Sequence, residues 1–243
     1  MAARILLLSP ALSADQVVEA AILKLYVEKA GRTVFGPETA VVASWEQPAV
    51  ALATSALSGR LLGGDALPQQ TVLLSVAAAA SLAYALERCD LVVVCFNGPV
   101  PNPGFCAFAA LAAASNRPVV VWKDDVRKLW GLEDDPLTLG LLPGASGHLL
   151  AFGPPHSQTY LARLTAADRS NAFVELMRTA LEQTVGDPTP LPGTYTRKLV
   201  AIGAAVQKAG AAYADVRQAV LRHANLLAAQ DREFLGVTEY RAS

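Results

Sequence analysis

Unbroken apolar runs at residues 5–8 (preceded by Arg4), 91–96 and 118–122 stand out from a background of helical periodicity. Runs this short, rich in Leu and Val and lacking polar alternation, read as strands buried on both faces of a parallel sheet. After the first run, Ser13-Ala14-Asp15-Gln16 has the form of a capping box, in which the serine hydroxyl takes an orphan amide and the glutamine reaches back. Val17, Ala21, Leu25 and Glu28 then mark one face of a helix that Gly31 ends. Residues 32–35 are expected to form a second strand, stopped by Gly36-Pro37, and strand, helix and strand at this spacing make a right-handed crossover. Further helices are expected over 48–62, 68–88, 105–115 and 165–185, with another strand over 148–152. Together these describe a doubly wound α/β domain around a parallel sheet of about five strands.

The clearest break lies beyond the last of these helices. Pro188, Pro190 and Pro192 prevent both helix and ladder pairing, so residues 187–194 read as a linker. It divides an α/β domain over 1–186 from a C-terminal helical extension over 195–243. In that extension Leu199, Ile202, Val206, Ala209, Tyr213, Val216 and Val220 recur at three and four residues, and Leu227 and Phe234 continue the seam. The pattern lasts about five heptads, enough to read as a coiled-coil helix. A lone helix of this kind is only marginally stable. Either its own domain covers it, or a partner or second copy docks on Leu199, Ile202, Val206, Tyr213, Val216 and Val220.

Composition sharpens this picture. Hydrophobic residues make up 53% of the 243 and charged residues 17%, an apolar balance for a soluble domain. Part of the excess is helical alanine, and the rest favours burial against a partner. The formal net charge of −1 gives no electrostatic case for nucleic acid or an anionic membrane as partner. No apolar run reaches the roughly 18–20 residues of a membrane span, and the amino-terminal stretch lacks the form of a signal peptide. Cys89, Cys95 and Cys106 lie in or beside apolar segments without metal-ligand spacing, as expected of reduced thiols in a reducing compartment, cytoplasm or mitochondrial matrix. His148, His156 and His223 are isolated, and no phosphate-binding or dinucleotide loop is present, so neither metal nor cofactor is expected.

Local information is densest in residues 89–127. A strand runs into a Gly/Pro/Asn loop, then a small-residue helix, then a second strand, so the loop lies at the carboxyl end of a strand, where open α/β sheets bind ligands. Asn97, Gly98, Asn102 and Gly104, with Ser9 at the end of the first strand, are the candidate ligand contacts, backbone amides at the helix start included. Six segments then occur in a telling order: Leu8-Ser9-Pro10-Ala11-Leu12-Ser13, Val34-Phe35-Gly36-Pro37, Cys89-Asp90-Leu91-Val92-Val93-Val94, Asn102-Pro103-Gly104, Asn116-Arg117-Pro118-Val119 and Asp125-Val126-Arg127. In order and spacing, the stretch 4–152 resembles the nucleoside 2-deoxyribosyltransferase family and its N-glycosidase relatives. The resemblance implies a flavodoxin-like sheet, N-glycosidic cleavage by a glutamate on the helix after the loop, and a neighbouring subunit that completes the pocket. Such a carboxylate captures the oxocarbenium-like anomeric carbon while a second carboxyl helps the base depart.

The departures from the family pattern govern the functional expectation. Counted from Gly104, the resemblance puts the nucleophile at Phe108 and the loop aspartate at Asn102, and the glycine two places beyond the nucleophile has become Ala110. Phenylalanine is neither nucleophile nor base. Asp90 belongs to the base of its strand, the end opposite the loop. Two readings are open. In one, the chain is a catalytically inactive, deoxyribosyltransferase-like pseudoenzyme, a structural or ligand-binding subunit of a larger assembly with a nucleoside or nucleotide in the cleft. In the other it is a working N-glycosidase or transferase whose carboxylate has moved to Asp125 or Asp135.

Overall fold

The three unbroken apolar runs lie side by side. In chain order the elements are β1 (Arg4–Leu8), α1 (Ala14–Ala30), β2 (Ala40–Ala43), α2 (Leu67–Arg88), β3 (Leu91–Cys95), α3 (Pro103–Ala114), β4 (Val119–Lys123), β5 (Leu149–Ala151), α4 (Ala166–Gln183), α5 (Thr194–Ala209) and α6 (Tyr213–Arg222). The computed structural model describes residues 3–9, 14–30, 40–43, 67–95, 103–123, 149–151, 166–209 and 213–223. β1, β3 and β4 pair in parallel, with Ile5 beside Leu91, Val92 beside Val119 and Cys95 beside Trp122. At their flanks β2 pairs with β1 and β5 with β4, also in parallel, and the order reads β2-β1-β3-β4-β5. An α/β chain with a parallel sheet and six described helices is compatible with a Rossmann-like fold. The strand expected over 32–35 and the helix expected over 48–62 lie outside the described residues.

The described residues fall into two compact units. The first, from Met1–Trp45 and Arg88–Pro192, holds the sheet with α1, α3 and α4; the second, from Glu46–Glu87 and Gly193–Ser243, holds α2, α5 and α6. In the first unit one sheet face presents Ile5, Leu7, Leu91, Val93, Cys95, Val120 and Trp122 to Leu23 and Val27 of α1 and Phe173, Met177 and Ala180 of α4. Trp122 meets Phe173 edge to face, ring centroids 4.9 Å apart, a geometry that adds about 1 kcal/mol to the area buried. On the other face α3 lies against β3 and β4 with Ala109 and Ala112 fully buried. Alanines there let the helix approach the sheet closely.

The buried face of α1 is not the one its periodicity marked. Ala20, Leu23 and Val27 are buried, whereas Ala21 is exposed and Leu25 is 62% exposed. Val18 and Ile22 are exposed beside Leu25. The helix is apolar on both sides, so either stripe satisfied the rule.

At the amino edge of the sheet Arg4 and Asp90 lock β1 to the entry of β3. The Asp90 amide donates to the Arg4 carbonyl (2.7 Å), and the Asp90 carboxylate accepts from the Arg4 amide (2.8 Å) and guanidinium (3.2 and 2.9 Å). The Arg4 side chain is half exposed, so the ion pair itself contributes at most about 1 kcal/mol; its main effect is on register.

Within the described residues, which leave out Leu227 and Phe234, the tail is not one continuous heptad helix. It forms two helices, α5 and α6, with residues 210–212 between them outside the described set. α5 packs against α6, and it lies against α2 where Gly203 meets Ala80 and Tyr84. Leu199, Ile202, Val206, Val216 and Val220 are at most 7% exposed in the single chain. These five positions of the seam, for which cover by the chain's own domain and docking of a partner were both open, are buried within the single chain; Tyr213 opens α6, and its side chain is outside the described set.

The proline-rich segment is not a free linker either. Its Thr189 amide donates to the Ser115 carbonyl (2.9 Å) and its carbonyl accepts from Arg117 Nη1 (2.6 Å). Leu191 is buried. Prolines on both sides of Thr189 leave one amide to give, and that amide is used.

Candidate functional site

Parallel strands end together, so the carboxyl edge of the first unit gathers the segments that leave them. Leu8 pairs with Val94, which puts Ser9 and Cys95 level as β1 and β3 end. The chain returns from β3 through α3, so the start of α3 with Gly104 belongs to the same edge. The strand order reverses between β1 and β3, and such a reversal opens a crevice.

Ser9 is 4% exposed, and its Oγ has no hydrogen-bond partner among the described residues. A buried hydroxyl left so costs about 1–3 kcal/mol; a ligand oxygen at the crevice would satisfy it. Gly104 is exposed in the first turn of α3. Phe108 stands one turn further on, half-buried rather than enclosed, on the stripe that includes Phe105, Ala109 and Ala112. α3, PGFCAFAALAAA, brings no carboxylate, histidine or lysine. Asn97, Gly98, Asn102, Asp125 and Asp135 lie outside the described residues.

Asp15, read in the sequence only within a capping box, and Arg117, read only within a matching segment, were given no role of their own there. Asp15 lies in the first turn of α1, which starts from the carboxyl edge after β1. At the opposite edge, buried Arg117 donates from Nε to the Cys89 carbonyl (3.2 Å) and from Nη1 to the Ser115 and Thr189 carbonyls (3.3 and 2.6 Å). Next to it Asn116 adopts a left-handed φ of 56° and its Nδ2 donates to the carbonyls of Val185 and Asp187 (2.9 and 3.2 Å). Gly186 between those two has φ 89°, which only glycine adopts without strain. A basic residue before Pro118 was the signal, but nothing in sequence tells a buried arginine from a solvated one.

All three cysteines are free. Burial pushes the Cys89 thiol from 9.0 up to about 12, against the lowering pull of the Arg117 guanidinium, and Cys106 is raised by burial as well. A raised thiol in the folded state stabilises fully below its unfolded value and loses that contribution as pH climbs through the folded one. The stability advantage of wild type over Cys89→Ala is accordingly expected to be constant below pH 9 and to shrink from there to about pH 12. Urea titrations of both proteins along that range check it; an advantage independent of pH would mean the thiol ionises as freely folded as unfolded.

Among the described residues no three His, Cys, Asp or Glu side chains come together to hold a metal ion, and no described helix is long and apolar enough to cross a membrane. Compared with models of protein families, with curated proteins and with solved structures, the chain matches none.

Proposed function

We propose that this chain is a divergent, catalytically silent member of the deoxyribosyltransferase-like group, wound as a flavodoxin-like sheet of five strands. In this reading it binds a nucleoside or nucleotide at the carboxyl edge without cleaving it, as a subunit of a larger assembly. Two observations carry the reading together: an unsatisfied buried hydroxyl, Ser9, where β1 ends, and a helix leaving the same sheet edge whose expected nucleophile position is Phe108. Asp90 is engaged with Arg4 at the far edge, so it offers no substitute. The left-handed Asn116 gives further support, since the family pattern has glycine there and both residues tolerate that φ. Exposed Val18, Ile22 and Leu25 on α1 favour an assembly role, and three free thiols favour a reducing compartment.

Incubation with a panel of deoxynucleosides and nucleotides, with and without acceptor base, tests the proposal by chromatography of free base. The expected result is no base release, from wild type or from Phe108→Glu, together with saturable binding that weakens roughly three- to tenfold in Ser9→Ala. Base release abolished by Asp15→Asn, Asp125→Asn or Asp135→Asn would make the chain a working glycosidase. Absence of both turnover and binding would remove the ligand and leave only the assembly role.

A further inference from the structure

A hollow of about 320 Å3 lies between the last turn of α5 and α6, in the second unit and independent of the carboxyl edge. That is room for roughly ten waters. Three alanines give it an apolar wall, and Lys208, Asp215, Gln218, Arg222 and His223 line the rest. A cation in the last turn of a helix has an ordinary explanation in the negative end of the helix dipole, and it holds for Lys208 and Arg222 taken separately. It does not account for both opening onto one hollow with no ion pair for either among the described residues, Asp215 included. With two cations against one carboxylate among its described lining residues, the concavity carries positive potential. His223 Nδ1 lies 3.0 Å from the Ala219 carbonyl. A carbonyl only accepts, so Nδ1 carries the hydrogen and Nε2 is the ring's remaining polar atom.

We propose that this hollow is a binding site for a small molecule bearing an oxyanion, a carboxylate or a phosphate ester. The Arg222 fork and the Lys208 ammonium hold the anion, because charge-assisted bonds to a planar or tetrahedral oxyanion are the strongest these groups make. Gln218 supplies a neutral amide. Asp215 repels a second negative group, so the ligand's other end is neutral or cationic.

The test titrates the full chain with inorganic phosphate and, separately, with acetate, at ionic strength held constant by sodium chloride, following the His223 ring signals by NMR. Saturable shifts are expected, weakened about tenfold by Lys208→Gln and by Arg222→Gln and tightened by Asp215→Asn. All three positions are exposed, so the substitutions leave the fold intact, which unchanged circular dichroism verifies. Response to phosphate alone assigns a phosphate ester; response to acetate alone assigns a carboxylate. No saturable response to either anion, or a response the two Gln variants leave unchanged, overturns the proposal.

Discussion

Gly203→Ala is expected to destabilise the second unit by about 3 kcal/mol, although alanine is the better helix former. On propensity alone the change would gain about 1 kcal/mol. Against that, a Cβ at this position would overlap the Ala80 carbonyl oxygen outright and stand 2.7 Å from both the Ala80 carbonyl carbon and Tyr84 Cβ. Two of the three obstacles are backbone atoms of α2, so no rotamer change relieves them, and α5 must move off. Moving it loosens Leu199, Ile202 and Val206, all buried. Overpacking of this kind costs about 1–3 kcal/mol and occasionally more, and the rigidity of the obstacle puts it at the upper end. Urea unfolding followed by helical circular dichroism reads the change directly. A neutral or stabilising Gly203→Ala would mean that α5 does not approach α2 here.

Arg117→Met should cost about 3 kcal/mol, with Arg117→Lys between it and wild type. Methionine retains most of the stem's packing and removes the donors. The Cys89 carbonyl then loses the guanidinium bond; Ser115 keeps its bond from the Thr189 amide, and exposed Thr189 turns to water. Burying a cation has its own desolvation cost, which the substitution relieves. Bonds to a charged group contribute about 1.5–3 kcal/mol each, and their loss, in full at Cys89 and in part at Ser115 and Thr189, outweighs that relief. Lysine is intermediate because a single ammonium lacks the fork that spans separate carbonyls. Hydrogen exchange at the Thr189 amide distinguishes this from general destabilisation: its protection should fall before that of Val92, whose amide donates to the Pro118 carbonyl in the sheet. Equal stability of Arg117→Met and wild type would show that the strap holds without the guanidinium.

These two residues also mark where reading the sequence fails. A glycine inside a helix looks like a defect until Ala80, far earlier in the chain, is found against it. A lone arginine looks solvated until its three carbonyl partners, from β3's entry, the end of α3 and the proline-rich strap, are seen to converge. In each case the reason is a long-range contact with no local signature. The candidate site divides in the same way. Ser9 and Gly104 were named from the strand–loop–helix pattern and Phe108 only through the family resemblance, whereas the unsatisfied state of the Ser9 hydroxyl depends on what fails to reach it in space.

The order of residues is enough for the part of the fold set by burial on all sides. Leu91 to Cys95 and Val119 to Trp122 are apolar at every position, and short β-branched-rich runs with no polar face suit strands covered on both sides. Long-range packing chose wherever periodicity offered two answers. α1 carries apolar residues on opposite sides, and contact with Phe173 and Met177 from α4 selects Leu23 and Val27 for the core, leaving Val18, Ile22 and Leu25 outside. The C-terminal seam announced an apolar stripe of three- and four-residue spacing, and that spacing states that something covers the stripe without stating what. The cover is the chain's own α2 and the pairing of α5 with α6, because the hydrophobic effect rewards area removed from water whichever surface removes it.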